Sequence, residues 1–449
     1  MAARRRVGPT RVYSASGGHR PSGILRGPVP GVIAMKFGGT SVADAERIKH
    51  AAARIVAKCR EGNQVVAVLS ARGKTTDELI AMAEEVSPNP DPREMDMLLS
   101  TGERISCALC AMAINDLGHH AISLTGSQAG IVTDTSHTKA RILDVRADRI
   151  RAALDDGSVV LVAGFQGVST ANDVTTLGRG GSDTTAVALA AAVGADVCEI
   201  YTDVDGVFSA DPRIVPDARK LPVVSFEEML EMAASGAGVL QLRSVEYARN
   251  HGVRIHCRSS FDDAPGTVVV GEDETVEQPL ITAVTHATDE ARVQLIGVPD
   301  EPGTAGRVFT ALAEANVNVD MIVQNDPVGG GDAALSFTVP ATDLRTAREA
   351  LSPLVAELSL RQVEHEEMGK VSIVGAGMRS HPGVAAKVFS VLGEQGINIE
   401  MVSTSPIRIS CVIQRGRVED AVRVLHDAFE LSGPGTSGTE DAFAPKGAA

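Results

Sequence analysis

Short, largely apolar segments separated by helical segments are the feature of this sequence that most constrains its fold. Residues 32–37 and 64–70 are two such segments, and 65–69 is apolar at every position. A strand without a polar face is typical of a parallel sheet that helices cover on both sides. The alternation continues to about residue 270 and predicts an α/β fold with a doubly wound, mainly parallel sheet.

The apolar and amphipathic segments also indicate where the individual elements lie. Strands are expected at 32–37, 64–70, 121–124, 158–163, 197–202 and 253–257. Helices are expected at 43–59, 76–86, 93–117, 145–155, 183–193, 225–234 and 239–250. Ligands of such sheets bind beyond the carboxyl ends of the strands, so the loops that follow the strands are the place to look for a site.

From about residue 270 the pattern changes, and an internal repeat with an offset of 80 residues appears. Pro302-Gly303 recurs as Pro382-Gly383. Further pairs at this offset are Val308 and Val388, Phe309 and Phe389, Leu312 and Leu392, Glu314 and Glu394, Asn318 and Asn398, and Met321 and Met401. Agreement at one register over so many positions predicts two related α+β modules, at 285–357 and 368–430.

Charge and composition exclude several classes of protein. The chain of 449 residues has a net charge of −15, and residues 31–449 carry 36 Lys and Arg against 57 Asp and Glu. With 3% aromatic residues, this acidic body lacks the positive groove and the stacking side chains of nucleic-acid-binding proteins. No apolar run reaches the ~18 residues of a membrane span. We therefore expect no nucleic-acid partner and no membrane partner.

The two ends of the chain differ from its body. Residues 1–30 contain six Arg and no Asp or Glu, and they predict a disordered extension or a misassigned start. They lack the apolar core of a secretory signal, and a transit peptide is the less favoured alternative. The tail 431–449 is also expected to be disordered. Six cysteines do not make a disulfide scaffold, and Cys107 and Cys110 fit core packing better than a redox or metal site, so a cytoplasmic location is expected.

The loop at 36–41, with the sequence KFGGTS, follows the first strand and precedes a helix. Its two glycines allow backbone N–H groups to approach phosphate oxygens, and a helix N-terminus favours an anion. Lys36 could reach the same anion. A tight turn accounts for the glycines equally well, so the residues alone leave both interpretations open.

A second loop, at 176–185, has three glycines in four residues around Arg179. Arg179 can hold a carboxylate through two hydrogen bonds, and Asp183 can bind Mg²⁺ or orient phosphates. The alternative is a flexible turn in which Asp183 is an ordinary acidic residue of a first helical turn.

Two further segments place charge in an unusual setting. Glu103 lies in a largely apolar stretch, and a buried carboxylate there needs a cation, which Arg104, another internal base or a ligand ammonium group could supply. The loop at 202–213 resembles the start of a calcium loop, but Ile214 stands where such a loop requires Glu. A nucleotide-contacting loop is the favoured interpretation.

Together these segments resemble the aspartokinase family of the amino-acid kinase superfamily. The matching segments follow the family's order, namely KFGGTSV (36–42), TGERIS (101–106), LTGSQAG (124–130), AGFQG (163–167), TTLGRGGSDTTA (175–186) and TDVDGVFSADPRIV (202–215). The C-terminal repeat is similar to a pair of ACT domains. The resemblance implies an amino-acid kinase catalytic domain at 31–270, followed by two α+β, ferredoxin-like ACT domains at 285–357 and 368–430.

The resemblance also implies roles for individual residues. Catalysis would fall to Lys36 and Asp183, and ATP binding to Lys36, Gly38, Gly39, Thr40, Thr202, Asp203, Phe208, Ser209, Asp211 and Arg213. Substrate binding would fall to Ser70, Thr75, Thr76, Glu103, Arg179 and Ser182, with Glu103 on the ammonium group and Arg179 on the α-carboxylate of aspartate. Effector binding would fall to Asp300, Gly303, Thr304, Ala305, Asn318, Val319, Gln324, Val384, Asn398 and Ile399. No residue is assigned as a direct metal ligand.

The reaction implied by the resemblance is attack of the side-chain carboxylate of L-aspartate on the γ-phosphate of ATP, with Mg²⁺, to give 4-phospho-L-aspartate. This carboxylate is ionised at pH 7, so alignment and charge neutralisation replace a strong base. The family's usual properties are feedback by lysine or threonine and a place at the start of lysine, threonine and methionine biosynthesis. A homo-oligomer is implied, in some relatives with a separately translated ACT-domain subunit.

Three positions depart from the family's pattern. Gly238 stands where a Lys commonly contacts the nucleotide, Arg72 replaces a usual Met and could partly restore that charge, and Pro406 replaces a usual Glu. Gly238 motivates one alternative, a catalytically impaired protein that only binds amino acids. A second alternative, a kinase for another carboxylate, would need altered residues beside Glu103 and Arg179, and none is evident.

Overall fold

The computed structural model describes residues 31–272, 280–325 and 333–433. The expected disordered segment 1–30 and nearly all of the expected tail 431–449 lie outside the described residues. The described part of the chain forms two large sheets with their helices and one small sheet.

An eight-stranded sheet forms the centre of the N-terminal half. In spatial order its strands are β10 (Val223–Ser225), β12 (Thr267–Val270), β11 (Ile255–Ser259), β9 (Val197–Thr202), β1 (Val32–Phe37), β2 (Gln64–Leu69), β6 (Val159–Ala163) and β3 (Ala121–Leu124). All neighbours run parallel except β11 and β12. The predicted doubly wound, mainly parallel sheet is therefore confirmed.

Helices cover this sheet on both faces. The helices of this half are α1 (Ala45–Arg60), α2 (Thr75–Val86), α3 (Pro92–Leu99), α4 (Thr101–Asp116), α5 (Asp148–Asp155), α6 (Gly181–Val193), α7 (Phe226–Ala234) and α8 (Leu242–His251), and all except α2 and α3 contribute to the cores on the sheet. Val65 and Ala67 pack into a core with α1 and α4, whereas Val66 and Val68 pack into a second core with α5 to α8. Because alternate side chains enter two different cores, the strand has no polar face.

The helix expected at 93–117 is two helices that meet at Ser100. The hydroxyls of Ser100 and Thr101 donate to the carbonyls of Met97 and Leu98, which diverts the backbone hydrogen bonding at this point. By length and composition alone, Pro92–Asp116 could cross a membrane. Half of its most apolar window is buried inside the fold, and core helices commonly share this property.

Six short strands were not expected from the sequence. Two of them, β10 and β12, extend the main sheet. The other four form a small sheet in the order β5 (Ile142–Val145), β4 (Ile131–Thr133), β7 (Gln166–Ser169) and β8 (Val174–Thr176). Strands of three or four residues are too short to establish an alternating pattern, which explains why periodicity missed them.

The C-terminal half is built on a six-stranded antiparallel sheet. In spatial order its strands are β14 (Ile322–Asn325), β15 (Ala333–Pro340), β13 (Ala283–Val298), β16 (Arg361–Val374), β18 (Arg408–Gln414) and β17 (Met401–Ser405). Its helices are α9 (Thr304–Glu314), α10 (Leu344–Glu357), α11 (Val384–Glu394) and α12 (Val418–Ala428). Helices α9 and α11 begin 80 residues apart, after glycines with φ of 101° and 97°, as the internal repeat predicts.

The long strands β13 and β16 pass through both modules. Ala291, Val293 and Leu295 belong to the core of the first module with α9 and α10. Ile281 and Val284, near the start of β13, belong instead to the core of the second module with α11 and α12. The core of the second module also includes Ala210 and Val215 from the N-terminal half, so it extends into the loop that follows β9.

Lys370 joins the two modules and yields a prediction about stability. Its side chain is 3% exposed, its Nζ lies 2.9 Å from Glu290, and it also contacts the carboxylate of Asp320. Lys370→Met should lower the free energy of unfolding by about 3 kcal/mol, because it leaves buried Glu290 without its cation. Urea unfolding at pH 7 measures this change. The control Arg345→Met removes an exposed ion pair with Glu349 and should leave the midpoint unchanged, and equal losses in both variants would contradict the prediction.

Candidate active site

A cavity of about 310 Å³, the first cavity, lies where the carboxyl ends of β1, β2 and β6 meet the N-terminus of α6. Its lining combines charged, polar and glycine residues from loops far apart in the sequence. These residues are Lys36, Gly39, Ser70, Ala71, Gly73, Thr76, Glu103, Phe165, Arg179, Gly180, Gly181, Ser182, Asp183 and Gln241. The position agrees with the expectation that ligands bind where the loops leave the strands.

Lys36 and Asp183 form an ion pair at the centre of this lining. Lys36 Nζ lies 2.6 Å from Asp183 Oδ1, and the two side chains are 11% and 8% exposed. Lys36 is the penultimate residue of β1, and Asp183 belongs to the first turn of α6. The pair therefore places one cation and one metal-binding type of carboxylate side by side at a helix N-terminus, where a phosphate would be favoured.

The N-terminus of α6 is open toward the cavity. The helix is preceded by Gly180 in the left-handed region, with φ of 74°, and no side chain of the described residues caps it. A Cβ on Gly180 would lie 2.2 Å from the side chain of Gln241, so only glycine fits there. The first N–H groups of the helix thus lie close to the cavity, at a position that favours an anion in general.

Glu103 is a buried carboxyl group to which no described side chain donates a hydrogen bond. Its Oε1 accepts a hydrogen bond from the backbone N–H of Ala71 at 3.2 Å, and its Oε2 is buried with no partner in the described ranges. Burial raises the pKa of Glu103 to about 7. The guanidinium of Arg104 donates instead to Gln166 and Ser100, at 3.3 and 3.1 Å. Of the cations considered for Glu103, a ligand ammonium group fits this geometry best.

Arg179 supplies the opposite charge in the same cavity. Its side chain is exposed, and no ion pair to it is found within the described ranges. Hydrogen bonds hold the loop that carries Arg179 in place, because Arg243 donates to the carbonyls of Leu177 and Ala140 at 2.6 and 3.0 Å. A cavity with an unneutralised carboxylate and an unpaired guanidinium suits a ligand that carries both an ammonium and a carboxylate group.

The Arg179 loop is also held at its start by Asp96. This carboxylate is fully buried and accepts hydrogen bonds from the hydroxyl of Thr176 at 2.5 Å and from the N–H of Thr138 at 3.1 Å. His137 Nδ1 lies 2.7 Å from its second oxygen. Nothing in the sequence pattern singled out Asp96 or His137, because their partners are 41 or more residues away.

A larger cavity of about 510 Å³, the second cavity, lies beside the loop after β9. Three segments line it. The first is the loop itself, with Thr202, Asp203, Val204, Gly206, Val207, Phe208, Ala210, Asp211, Pro212 and Arg213. The second is Met232 with 236–239, and the third is Val284, Thr285 and His286 of β13.

Asp211 and Arg213 are paired with each other at the edge of the second cavity. Arg213 donates to both carboxylate oxygens of Asp211, at 3.0 and 2.6 Å. The guanidinium of Arg213 lowers the pKa of the Asp211 carboxyl. The charge of Arg213 is therefore largely compensated before any ligand binds.

The structure brings together most of the predicted site residues. The first cavity contains Lys36, Gly39, Ser70, Thr76, Glu103, Arg179, Ser182 and Asp183. The second contains Thr202, Asp203, Phe208, Asp211 and Arg213. Four predicted residues line neither cavity, namely Gly38, Thr40, Thr75 and Ser209.

Of these four residues, Ser209 most clearly lies away from both cavities. It is fully buried, its Oγ lies 3.0 Å from His426 Nε2, and it donates to the carbonyl of Leu431 at 3.1 Å. The hydroxyl thus contacts the second module rather than the cavity. Thr40 is exposed, and its carbonyl accepts a hydrogen bond from the guanidinium of Arg47 at 2.6 Å. Thr75 is the first residue of α2. Gly38 stays near the site, because a Cβ there would lie 3.5 Å from Lys36 Nζ.

The predicted effector residues occupy equivalent places in the two modules. Asp300, Gly303, Thr304 and Ala305 form the turn into α9, and Asn318, Val319 and Gln324 lie in or before β14. In the second module Val384 begins α11, and Asn398 and Ile399 precede β17. Val384 also lines a cavity of about 370 Å³, the third cavity, together with Met378, Arg379, His381, Gly383, Ala385, Thr404, Ser405, Pro406 and Ile409.

The structure clarifies the three departures from the family's pattern. Gly238 lines the second cavity, and a Cβ there meets no atom within 4 Å. Arg72 does not restore the charge missing at this position, because it donates to the carbonyl of Ala43 at 3.1 Å and lines a different cavity beside α1 and α4. Pro406 lies in the third cavity.

Sequence reasoning missed several residues that line the cavities. Phe165 has a φ of 67°, a strained value for a bulky residue, and its ring lies against Gly181 in the first cavity. The segment AGFQG was a possible indication, since it follows β6. Thr285 and His286 gave no indication, because they lie in the half of the chain that was not expected to reach the site.

Comparisons with known proteins agree with this arrangement. A family model described as the amino acid kinase family matches residues 31–259, and one described as an ACT domain matches 293–353 and 371–429. The aspartokinase of Mycolicibacterium smegmatis is 58% identical over 407 residues, covering 90% of this chain and 97% of that protein. That of Corynebacterium glutamicum is 54% identical over 407 residues, with the same 90% and 97% covered.

Solved structures are similar over the same range. E. coli aspartokinase III in complex with aspartate and ADP, in the R-state, has a TM-score of 0.77 at 26% identity and covers 88% of this chain and 99% of its own. The complex of that protein with lysine and aspartate, in the T-state, has a TM-score of 0.68 at 26% identity, with 89% and 99% covered.

The unpartnered oxygen of Glu103 yields a prediction about pH and stability. Because burial raises its pKa from 4.5 to about 7, the folded protein keeps a proton that the unfolded chain releases, and stability falls as pH rises across this range. Glu103→Gln in the ligand-free protein should therefore be more stable than the wild type by about 1–3 kcal/mol at pH 8 and nearly equal to it at pH 5.

Urea unfolding at the two pH values measures this difference. The control Glu85→Gln changes an exposed carboxylate of α2 and should have the same small effect at both pH values. A Glu103→Gln variant that is less stable at pH 8 than at pH 5, relative to the wild type, would show that an internal cation neutralises Glu103.

Proposed function

Because this chain belongs to the aspartokinases of the amino acid kinase family, we propose that it transfers the γ-phosphoryl group of ATP to the side-chain carboxylate of L-aspartate. It is an aspartate kinase, since relatives 54–58% identical over 90% of the chain are aspartokinases. The product of the proposed reaction is 4-phospho-L-aspartate. The donor, the residue roles and the regulation belong to the proposal, and each has its own support.

The observation that carries the proposal is the pattern of charge in the first cavity. An unneutralised carboxylate oxygen on Glu103 and an unpaired guanidinium on Arg179 line the same cavity as the Lys36–Asp183 ion pair. An α-amino acid bound by Glu103 through its ammonium group and by Arg179 through its α-carboxylate would leave its side chain free to face Lys36. Aspartate then presents its second carboxylate to the phosphoryl donor.

Chemistry in this cavity needs orientation and positive charge more than a base. The aspartate side chain is ionised at neutral pH and is already a nucleophile. Lys36 and the N–H groups at the start of α6 would stabilise the negative charge of the transferring phosphoryl group. Ser70, Thr76 and Ser182 line the same cavity and would hold substrate or phosphate oxygens.

Mg²⁺ is the second part of the proposed donor. Protein sites for this ion commonly use one or two carboxylates together with phosphate oxygens and water. Asp183 fits that requirement, and the described ranges contain no group of three or more His, Cys, Asp or Glu side chains that would bind a metal without the nucleotide. Bound with ATP, the ion would supply further neutralisation of phosphate charge.

The second cavity is the proposed site for the nucleoside and part of the phosphate chain. It has the volume for a nucleoside, and it lies next to the first cavity along the carboxyl end of β9. The aspartokinase III complex with ADP supports ATP as the donor. Thr202, Asp203, Phe208, Asp211 and Arg213 would contact the nucleotide, whereas Ser209 would act only by holding the loop.

Regulation by lysine or threonine is proposed at the two ACT modules. The lysine complex of aspartokinase III supports such an effector. In the second module, Ser405 lines the third cavity and donates to Glu231 of α7 at 2.9 Å, and Arg408 lies 3.0 Å from the same carboxylate. Helix α7 leads directly into residues 236–239 of the second cavity. A ligand in the third cavity that displaced Ser405 would therefore change the nucleotide site.

Assembly and location complete the proposal. Strands β14 and β17 are the two ends of the six-stranded sheet, and no described strand pairs with their outer edges. Such edges can pair with another chain, which supports a homo-oligomer and leaves room for a separate ACT-domain subunit. All six cysteines are free, as expected of a cytoplasmic protein.

The alternative of an impaired amino-acid-binding homologue has no support in the comparisons.

Trapping the acyl phosphate tests the proposed reaction. The purified full chain with aspartate, MgATP and hydroxylamine should form aspartyl hydroxamate, and lysine or threonine should inhibit its formation.

Lys36→Met should reduce kcat by at least about 100-fold, because it removes the main protein cation facing the phosphoryl group. The control Lys49→Met changes an exposed lysine of α1 and should keep full activity. Hydroxamate formation that is equal in both variants would contradict the role of Lys36.

The space at Gly238 yields a prediction about ATP affinity. Gly238→Lys should lower the KM for ATP by about tenfold, since a charged hydrogen bond to a phosphate contributes about 1.5–3 kcal/mol and no described atom occupies the space. The control Gly238→Ala adds bulk without charge and should leave the KM for ATP unchanged. A KM for ATP that the lysine does not lower, with an unchanged KM for aspartate, would mean that no phosphate lies within reach of this position.

A further inference from the structure

The second cavity is closed on one side by the regulatory half of the chain. Val284, Thr285 and His286 are consecutive residues of β13, and all three line the cavity together with the loop after β9. Strand β13 belongs to the six-stranded sheet, where Thr285 pairs with Ser372 and His286 with Val371 of β16. The cavity is thus assembled from both halves of the protein.

The contact between β13 and the rest of the cavity is close and fixed. The N–H of Val284 donates to the carbonyl of Ser209 at 2.8 Å, which joins β13 to the loop after β9. On the other side, a Cβ on Gly236 would lie 1.9 Å from the carbonyl oxygen of His286. With a φ of 106°, Gly236 has both the backbone conformation and the lack of a side chain that this approach requires. A ligand in the cavity therefore meets β13 in a defined position.

Thr285 presents a hydroxyl that the fold itself does not use. The residue is 5% exposed, and its Oγ1 is buried without a hydrogen-bond partner in the described ranges. A strand position that needs only a β-branched side chain can hold valine as well as threonine. A buried hydroxyl without a hydrogen-bond partner therefore makes the ligand-free protein less stable than valine would at the same position. Because Thr285 lines the second cavity, a ligand there is the available partner for this hydroxyl.

His286 extends the same polar surface. Its ring is half-buried and faces Asp211 and Arg213 from the loop and Glu419 from α12. Burial lowers the pKa of His286, so the imidazole is neutral at pH 7 and can donate one hydrogen bond and accept another. Neutral groups of this kind suit a base or a ribose better than a phosphate.

The distribution of charge between the two cavities also favours a base or a ribose, rather than a phosphate, beside β13. The cation that faces the transferring phosphoryl group, Lys36, lies in the first cavity. In the second cavity the guanidinium of Arg213 is already paired with Asp211. The part of the second cavity beside β13 therefore has hydrogen-bonding groups without net positive charge.

We propose that Thr285 and His286 of the regulatory half are nucleoside-binding residues of the kinase, with the unused Thr285 hydroxyl in the second cavity hydrogen-bonded to the base or ribose of ATP. The inference rests on the proposed function, because it takes the second cavity as the nucleotide site. It adds that the catalytic half does not complete this site alone. Since β13 pairs with β16 and packs in the second module, nucleotide binding and the arrangement of that module affect each other reciprocally.

The experiment compares MgADP binding by calorimetry in the full chain and three threonine variants. Thr285→Val should raise the Kd for MgADP by about five- to twentyfold, whereas Thr285→Ser, which keeps the hydroxyl, should stay within about threefold of the wild type. The control Thr288→Val changes an exposed threonine of the same strand and should bind as the wild type does. Ligand-free Thr285→Val should unfold at a temperature no lower than the wild type, because the change removes an unpaired buried hydroxyl.

Kinetics separate a nucleoside contact from a general structural effect. Thr285→Val and His286→Ala should raise the KM for ATP and leave the KM for aspartate within about twofold, and they should change the ratio of kcat/KM for ATP to that for GTP. A purely structural role would change both Michaelis constants and leave that ratio as it is.

The variant Asp203→Asn distinguishes the two ways in which the inference can fail. If Asp203→Asn weakens MgADP binding but Thr285→Val and His286→Ala do not, the second cavity is the nucleotide site and β13 has no part in it, which overturns the inference alone. If none of the three variants changes MgADP binding, the nucleotide lies elsewhere, and the proposed nucleotide site is overturned as well.

Discussion

The burial of one loop on two sides is the constraint on which the rest of the structure depends. Residues 202–213 border the second cavity, while Ala210 and Val215 pack in the core of the second module and Ser209 contacts His426. The same loop thus lines a cavity and closes the core of the second module. Neither half of the chain can shift without changing the other, because packed cores deform little.

The first cavity shows the complementary feature, which is charge left without a partner. Glu103 has a buried carboxylate oxygen with no partner in the described part of the chain, and Arg179 is unpaired there, although their loops are fixed by backbone contacts at Ala71 and Leu177. An unsatisfied buried carboxylate lowers the stability of the ligand-free protein.

The predictable part of the site follows from local sequence. The turn at 36–41 and the loop at 176–185 carry their glycines and charges within a few residues, so they could be singled out as candidate site segments before their positions were known. The side chain of Ser209 lies against the second module rather than the second cavity, because its motif specifies a loop but not the direction of each side chain in it. The small strands β4, β5, β7 and β8 were missed because three or four residues do not establish a period.

The sequence by itself determined the parallel sheet and the repeat of 80 residues, and it indicated the two glycine-rich loops that line the first cavity, because each depends on spacing along the chain. Only the tertiary structure decided that no described side chain donates a hydrogen bond to Glu103, that Arg72 lines a different cavity from Gly238, and that Thr285 and His286 border the second cavity. These outcomes depend on contacts between segments 29 or more residues apart. Local pattern contains no information on which distant surface a side chain will meet when two separately patterned halves pack together.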